Sequence, residues 1–249
     1  MPQATDFDGG LDRPNGTPRG ESQSTRDARL HRLLVLLMQG DRVGCRDFLR
    51  ERLNDGRSPL DILEEDLWPA CSLIDGLSRR DRIGAVHAHC ATLLLGHLVQ
   101  RVEMGLARRQ PRFRSVLVTS GQKPLEELAA EIFAGLAEAD GFDIVFLGGG
   151  VESDDMFGEI GSRSPDFVVS YAAAGQDAAR LRRLLGSLRD QKPVPGLRIG
   201  VGGGVFSRAP GLGEELGVDF EGDSPFDLLE ALRREVDRTP VVARRSRAA

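Results

Sequence analysis

From Arg114 onward the sequence alternates short β-rich runs with stretches of helical period, and this alternation constrains the fold more than any other feature of the chain. The runs cover 116–119, 143–147, 167–171, 197–201 and, more weakly, 218–221, and helices fit at 124–139, 153–161, 177–190, 209–216 and 225–237. Strands separated by helices pair in parallel through crossovers that are almost always right-handed. Residues 114–238 are therefore predicted to form the α/β part of the chain, a flavodoxin-like doubly wound five-stranded parallel sheet in the order 2-1-3-4-5.

Residues 27–110 carry a different pattern. Leu30, Leu33, Leu34, Leu37 and Met38 recur at helical spacing until Gly40-Asp41 ends the segment. Asn54-Asp55-Gly56 breaks a second helix, and Ser58-Pro59 places a capping hydroxyl before a first-turn proline. Further helical stretches run to Leu106 with no strand signal among them, so an N-terminal helical bundle of four or five helices is expected. Residues 1–26 have almost no aliphatics and are expected to be a disordered arm, and 239–249, ending ARRSRAA, a disordered tail.

At 249 residues the chain has room for two such domains. No apolar run approaches the roughly 20 residues that cross a bilayer. The acidic start MPQATDFDGG lacks the features of a secretory signal, so a cytoplasmic, non-membrane protein is expected. The net charge of −5, with Arg and Lys dispersed beside carboxylates, argues against direct nucleic-acid binding. Cys45, Cys71 and Cys90 lack the paired spacing of zinc or dithiol sites and read as buried thiols.

Ligands of doubly wound sheets sit outside the carboxyl ends of the strands. Those positions hold Ser120-Gly121, Gly148-Gly149-Gly150, Ser170 and Gly202-Gly203-Gly204, small residues that permit close approach of a flat ligand or of another backbone. Ser120, Gly121, Gly148, Gly149, Ser170, Gly202 and Gly203 are accordingly the candidate cofactor contacts. Neither G-x-G-x-x-G with its acidic partner nor a P-loop is present. His87 and His89 lie about 200° apart on a helix and cannot share an ion, which leaves His89 as a candidate axial ligand to a tetrapyrrole metal. His97 falls two turns further on, where it is placed to line the same groove. The acid runs Glu64-Glu65-Asp66 and Glu126-Glu127 read as solvated helix faces. No activated nucleophile is evident, G-x-S-x-G being absent, so a non-enzymatic role is expected.

A helical bundle before a flavodoxin-like domain with these loop ends resembles the cobalamin-binding modules of methionine synthase, corrinoid methyltransferase proteins and cobalamin-dependent photoreceptor regulators. The resemblance spans about 30–232 and is carried by 33–41, 67–98, 115–150, 166–170 and 200–206. It implies that Ser170 and Gly202-Gly203 help hold the cofactor's nucleotide tail. The family's D-x-H-x-x-G, whose His replaces the cofactor's own base on cobalt, is here Gln122-Lys123-Pro124-Leu125-Glu126-Glu127. Proline cannot coordinate cobalt. Of the photoreceptor branch's Trp, nine residues, Glu-His, this chain has Ser78, Ala88 and His89, and Trp68 reads as a bundle anchor.

The resemblance implies a sensor that binds cobalamin without His ligation, haem or a bilin between cap and sheet. Such a sensor signals through a protein partner such as a transcription factor, and a homo-oligomer is compatible with it. A corrinoid carrier for methyl transfer and a ligand-free adaptor are the alternatives.

Overall fold

In the computed structural model, which describes residues 22–172 and 175–238, helix α1 (Gln23–Gln39) starts where the Ser22 side chain accepts from the Thr25 amide. It ends at Gly40, whose left-handed φ of 70° closes the last turn. The helix thus begins inside the stretch read as an arm; the rest of that arm, and the tail 239–249, lie outside the described residues. Helix α2 (Arg42–Asn54) is capped by Asp41, and α3 (Pro59–Ile62) by a reciprocal Ser58–Asp61 pair.

A π-turn, Leu63–Leu67, joins α3 to α4 (Trp68–Arg79) without a break, a feature that the hydrophobic spacing did not reveal. Its cause is Pro69, which has no N–H to return to residue 65 and whose ring crowds that carbonyl; one widened turn removes the conflict. Helix α5 (Ala85–Glu103) packs against α1, α2 and α4, and Leu33, Leu37, Phe48, Leu63, Leu67, Ile74, Leu95 and Val99 fill the bundle's core.

The π-turn also corrects the expectation of a solvated acid run. Asp66 is 1% exposed and accepts from Arg29 Nε at 2.5 Å and Arg52 Nε at 2.7 Å, tying α1 and α2 to the turn.

The second domain runs β1 (Ser115–Ser120), α6 (Pro124–Ala139), β2 (Asp143–Gly148), α7 (Ser153–Arg163), β3 (Phe167–Tyr171), α8 (Gly175–Gln191), β4 (Arg198–Gly202), α9 (Gly204–Arg208), α10 (Leu212–Leu216), β5 (Phe220–Gly222) and α11 (Pro225–Arg238). All pairings are parallel and the order is β2-β1-β3-β4-β5, the doubly wound arrangement expected. The helix expected at 209–216 is shorter, α10 alone, and a further short helix, α9, precedes it; Ala209-Pro210-Gly211 separates the two, where proline lacks a donor and Gly211 takes a φ of 85°.

Period-two alternation divides the sheet residues between two cores. Val116, Val118, Phe167, Val169, Tyr171 and Phe220 face α6 and α11, in one apolar cluster that continues into the bundle. Leu117, Val168, Ala172, Ile199 and Val201 face α7 and α8. Asp140, 1% exposed at its side chain, receives Arg109, Arg112 and Arg233 and so locks the interdomain segment to α11. Among the described residues no helix is long and apolar enough to cross a membrane.

Candidate functional site

A cavity of about 260 Å³ opens between the bundle and the carboxyl ends of β3 and β4. Trp68, Cys71, Ser72, Asp75 and Arg79 of α4 form one wall, and Leu125, Glu126 and Ala129 of α6 with Tyr171, Ala172, Gly203, Gly204 and Arg208 form the other. Polarity changes with depth. Tyr171, Ala172, Glu126, Ala129 and Cys71 are buried, whereas Ser72, Arg79, Ser207, Arg208 and Asp223 are exposed at the mouth.

The floor is set by Tyr171, which the alternation of β3 turns towards the α6 face, opposite to Ser170. Its side chain is buried and its hydroxyl has no hydrogen-bond partner among the described residues. Burial first, then Asp227, pushes that hydroxyl well above the ordinary tyrosine value, so it stays a neutral donor. At the mouth Arg79 Nε lies 2.8 Å from Asp75. Burial, and next the neighbouring Arg79, lower the Arg208 guanidinium, while Asp75 and Glu126 oppose that shift. Cys71 is held protonated, burial pushing its thiol up to about 12. Trp68 both packs on the bundle core and lines the cavity, a second role that periodicity could not show.

The residues expected at a cofactor do not gather in one place. Gly203 lies on the cavity, with a φ of 103° and the Ala172 carbonyl where a side chain would stand, so only glycine is accommodated there. Gly202 ends β4 beneath Tyr171 and Leu228. Ser120, Gly121 and Ser170 line a separate void of about 30 Å³ with Met156, Arg180, Leu181 and Leu184, room for a water or two. Gly148 and Gly149 sit beside the Glu127 carboxylate, whose Oε1 accepts from the Gly149 amide at 3.4 Å.

His89 is solvent-exposed on α5 and lines none of these cavities, as is true of His97, because the buried stripe of the helix is Ala91, Leu95, Leu98, Val99 and Val102. Axial ligation by His89 therefore has no geometric support. No cluster of three or more metal-ligating side chains occurs among the described residues. Sequence reasoning missed Tyr171, Glu126 and Arg208. The first was legible only as the residue after Ser170, and Glu126, read as solvated, is 4% exposed because α6 turns that face towards the bundle.

Residues 114–230 match the family model described as B12 binding domain. No curated protein matches the chain. Among solved structures, the monomethylamine corrinoid protein of Methanosarcina barkeri has a TM-score of 0.70 at 16% identity, over 86% of this chain and all of that one. That likeness shows the shared fold, helical region included. A cobalamin-binding protein from Desulfitobacterium hafniense gives a TM-score of 0.44 at 14% identity over 82% of this chain and 97% of that one. The methanol:cobalamin methyltransferase complex of Methanosarcina barkeri gives 0.47 at 12% identity over 89% of this chain and 87% of its matched chain.

The family match supports a cobalamin-type cofactor, and the present arrangement of residues does not accommodate one with a buried nucleotide tail. Pro124, at the position of the resemblance's lower-ligand histidine, opens α6 as a first-turn residue. The void between Ser120 and Ser170 has no room for a base and sugar, and the space above Gly202 is taken by Tyr171.

Proposed function

We propose, on the premise that residues 114–230 belong to the B12-binding domain family, that this chain is a non-catalytic regulatory protein. Occupancy of the cavity between the helical cap and the sheet sets how tightly the cap is held, and the cap's outer surface passes that state to a protein partner such as a transcription factor. The observation that carries this reading is the cavity's construction. One wall belongs to α4 of the cap and the other to α6, β3 and α9, so an occupant touches both domains and stabilises one relative arrangement over others.

The test is complementation of a deletion strain. Wild type restores the parental transcript profile, and Ser72→Phe, which changes an exposed cavity residue outside the core, yields a profile unlike both parent and deletion. Transcript profiles indifferent to deletion would refute the proposal.

A corrinoid carrier is the second reading, favoured by the family itself. It requires the cap to lift and the Ser120–Ser170 void to open, and it predicts one tightly held cobalt per chain. Haem and bilin gain no such support from the family.

A further inference from the structure

We infer that the seam between α5 and α6 is a proton-operated latch, in which the neutral Glu103 carboxyl lets the cap lie against the sheet domain and its carboxylate releases it. The inference rests on the regulatory reading and deepens it by naming a signal, the proton, that shifts the cap.

Glycines bring the two helices together. A Cβ built on Gly96 of α5 would stand 3.9 Å from Leu128 Cδ1, and one built on Gly135 of α6 would stand 2.5 Å from Glu103 Oε1. The Glu103 carboxyl therefore lies directly on the α6 backbone. Its Oε1 is buried and has no hydrogen-bond partner among the described residues. A neutral carboxyl is tolerated in such a place, whereas a carboxylate loses its hydration with nothing in exchange.

The surrounding charges act in the same direction. Glu131 and Glu138 stand about one turn before and after Gly135, on the same face of α6. Gln100 donates to Glu131 Oε1 at 2.9 Å, and Arg108 Nη1 lies 3.1 Å from Glu138 Oε1. Arg108 is the one cation among the described residues that line the cavity of about 370 Å³ beside the seam, so ionised Glu103 would have to compete with Glu138 for it. Arg101 is exposed and lies about 200° round α5 from Glu103. From α3 come Pro59, which packs on Gly105, and Asp61, whose carboxylate accepts from the Ser58 amide at 3.0 Å.

The shift of the Glu103 carboxyl to about 8 agrees with this geometry. A value raised in the closed seam above the ordinary 4.5 of an open one favours closure at low pH, and the advantage is lost as pH rises through about 8. The ratio of open to closed seam then increases about a hundredfold from about pH 6 to about pH 9. Helix α6 carries both the latch and a wall of the interdomain cavity, where Leu125, Glu126 and Ala129 stand across from Trp68 of α4. Freeing the cap from α6 therefore uncovers Trp68.

Trp68 is the only tryptophan in the chain, so acrylamide quenching of its fluorescence in the full chain reports that release, with circular dichroism following the fold. Wild-type quenching should rise several-fold from about pH 6 to about pH 9 at constant helix content. Glu103→Gln, which cannot ionise, should keep the low value throughout. Gly135→Ala, whose methyl displaces the carboxyl, should already quench strongly at about pH 6. Wild-type quenching that ignores pH, a Glu103→Gln variant that follows wild type, or a Gly135→Ala variant that quenches like wild type at about pH 6 would overturn the inference. So would loss of helix content in step with quenching, which marks unfolding of the chain in place of release of the cap. None of these outcomes alters the Ser72→Phe transcript result, so the two ideas fall separately.

Discussion

Tyr171 fills the space that Gly202 leaves on the neighbouring strand: a Cβ built on Gly202 would stand 3.1 Å from both Cε1 and Cζ of the Tyr171 ring. The glycine-lined rim of the sheet is thereby occupied by the protein itself at this point, and what remains open is a smaller cavity under the cap. Gly202→Ala is expected to force the ring and Leu228 to shift, at a cost of about 1–3 kcal/mol as for other overpacked cores. Tyr171→Phe removes a buried hydroxyl that has no partner among the described residues, and stability should stay within about 1 kcal/mol of wild type or rise. Urea denaturation of both variants checks the pair; a large loss in Tyr171→Phe would mean that the hydroxyl is bonded after all.

Within the cap, Asp66→Asn leaves the Arg29 and Arg52 guanidiniums facing a neutral amide in a site where Asp66 is 1% exposed. Breaking a buried pair in this way costs about 3–5 kcal/mol. Chemical denaturation should show that loss, and Glu64→Gln, an exposed member of the same acid run, should show almost none.

Where the cap meets the sheet domain, Glu103 of α5 lies against Gly135 of α6, with Oε1 buried and without a hydrogen-bond partner among the described residues. Burial first, then Glu131 and Glu138, pushes its carboxyl from the ordinary 4.5 up to about 8. A folded value above the unfolded one means that folding takes up a proton. The stabilisation is complete below about pH 4.5 and is lost as pH rises through about 8. Thermal unfolding between these limits should show stability falling by at most about 1.4 kcal/mol per pH unit from this group. Glu103→Gln should flatten that slope, and an unchanged slope would remove Glu103 as its source.

His89→Ala and His97→Ala should leave stability within about 0.5 kcal/mol in chemical denaturation, as for other exposed positions. A clearly larger loss in either variant would mean that the imidazole is packed and not exposed.

Much of this architecture was legible in the sequence because it is written in local periodicity. The strand runs needed only end adjustments, such as β4 starting at Arg198 and β5 at Phe220, and Pro124 at the head of α6 followed from its missing N–H. Features depending on where helices face were not legible. The burial of Glu126 and Asp66 and the exposure of His89 are set by rotation against neighbours distant in sequence. The pairing of Tyr171 with Gly202 is a cross-strand contact that requires the register of β3 against β4. Glycine clusters at strand ends pointed to an open rim, and only packing revealed that a ring from the adjacent strand closes part of it.

Cobalt content decides whether this chain, whose residues 114–230 match the B12 binding domain model, keeps its tail slot shut around a cavity sized for a small ligand. The full chain would be incubated with hydroxocobalamin in the dark, desalted, and its cobalt and protein measured together. Cobalt far below one per chain is expected. One retained cobalt per chain, surviving desalting, would overturn that expectation and establish a corrinoid-binding protein whose cap and sheet open to admit the cofactor.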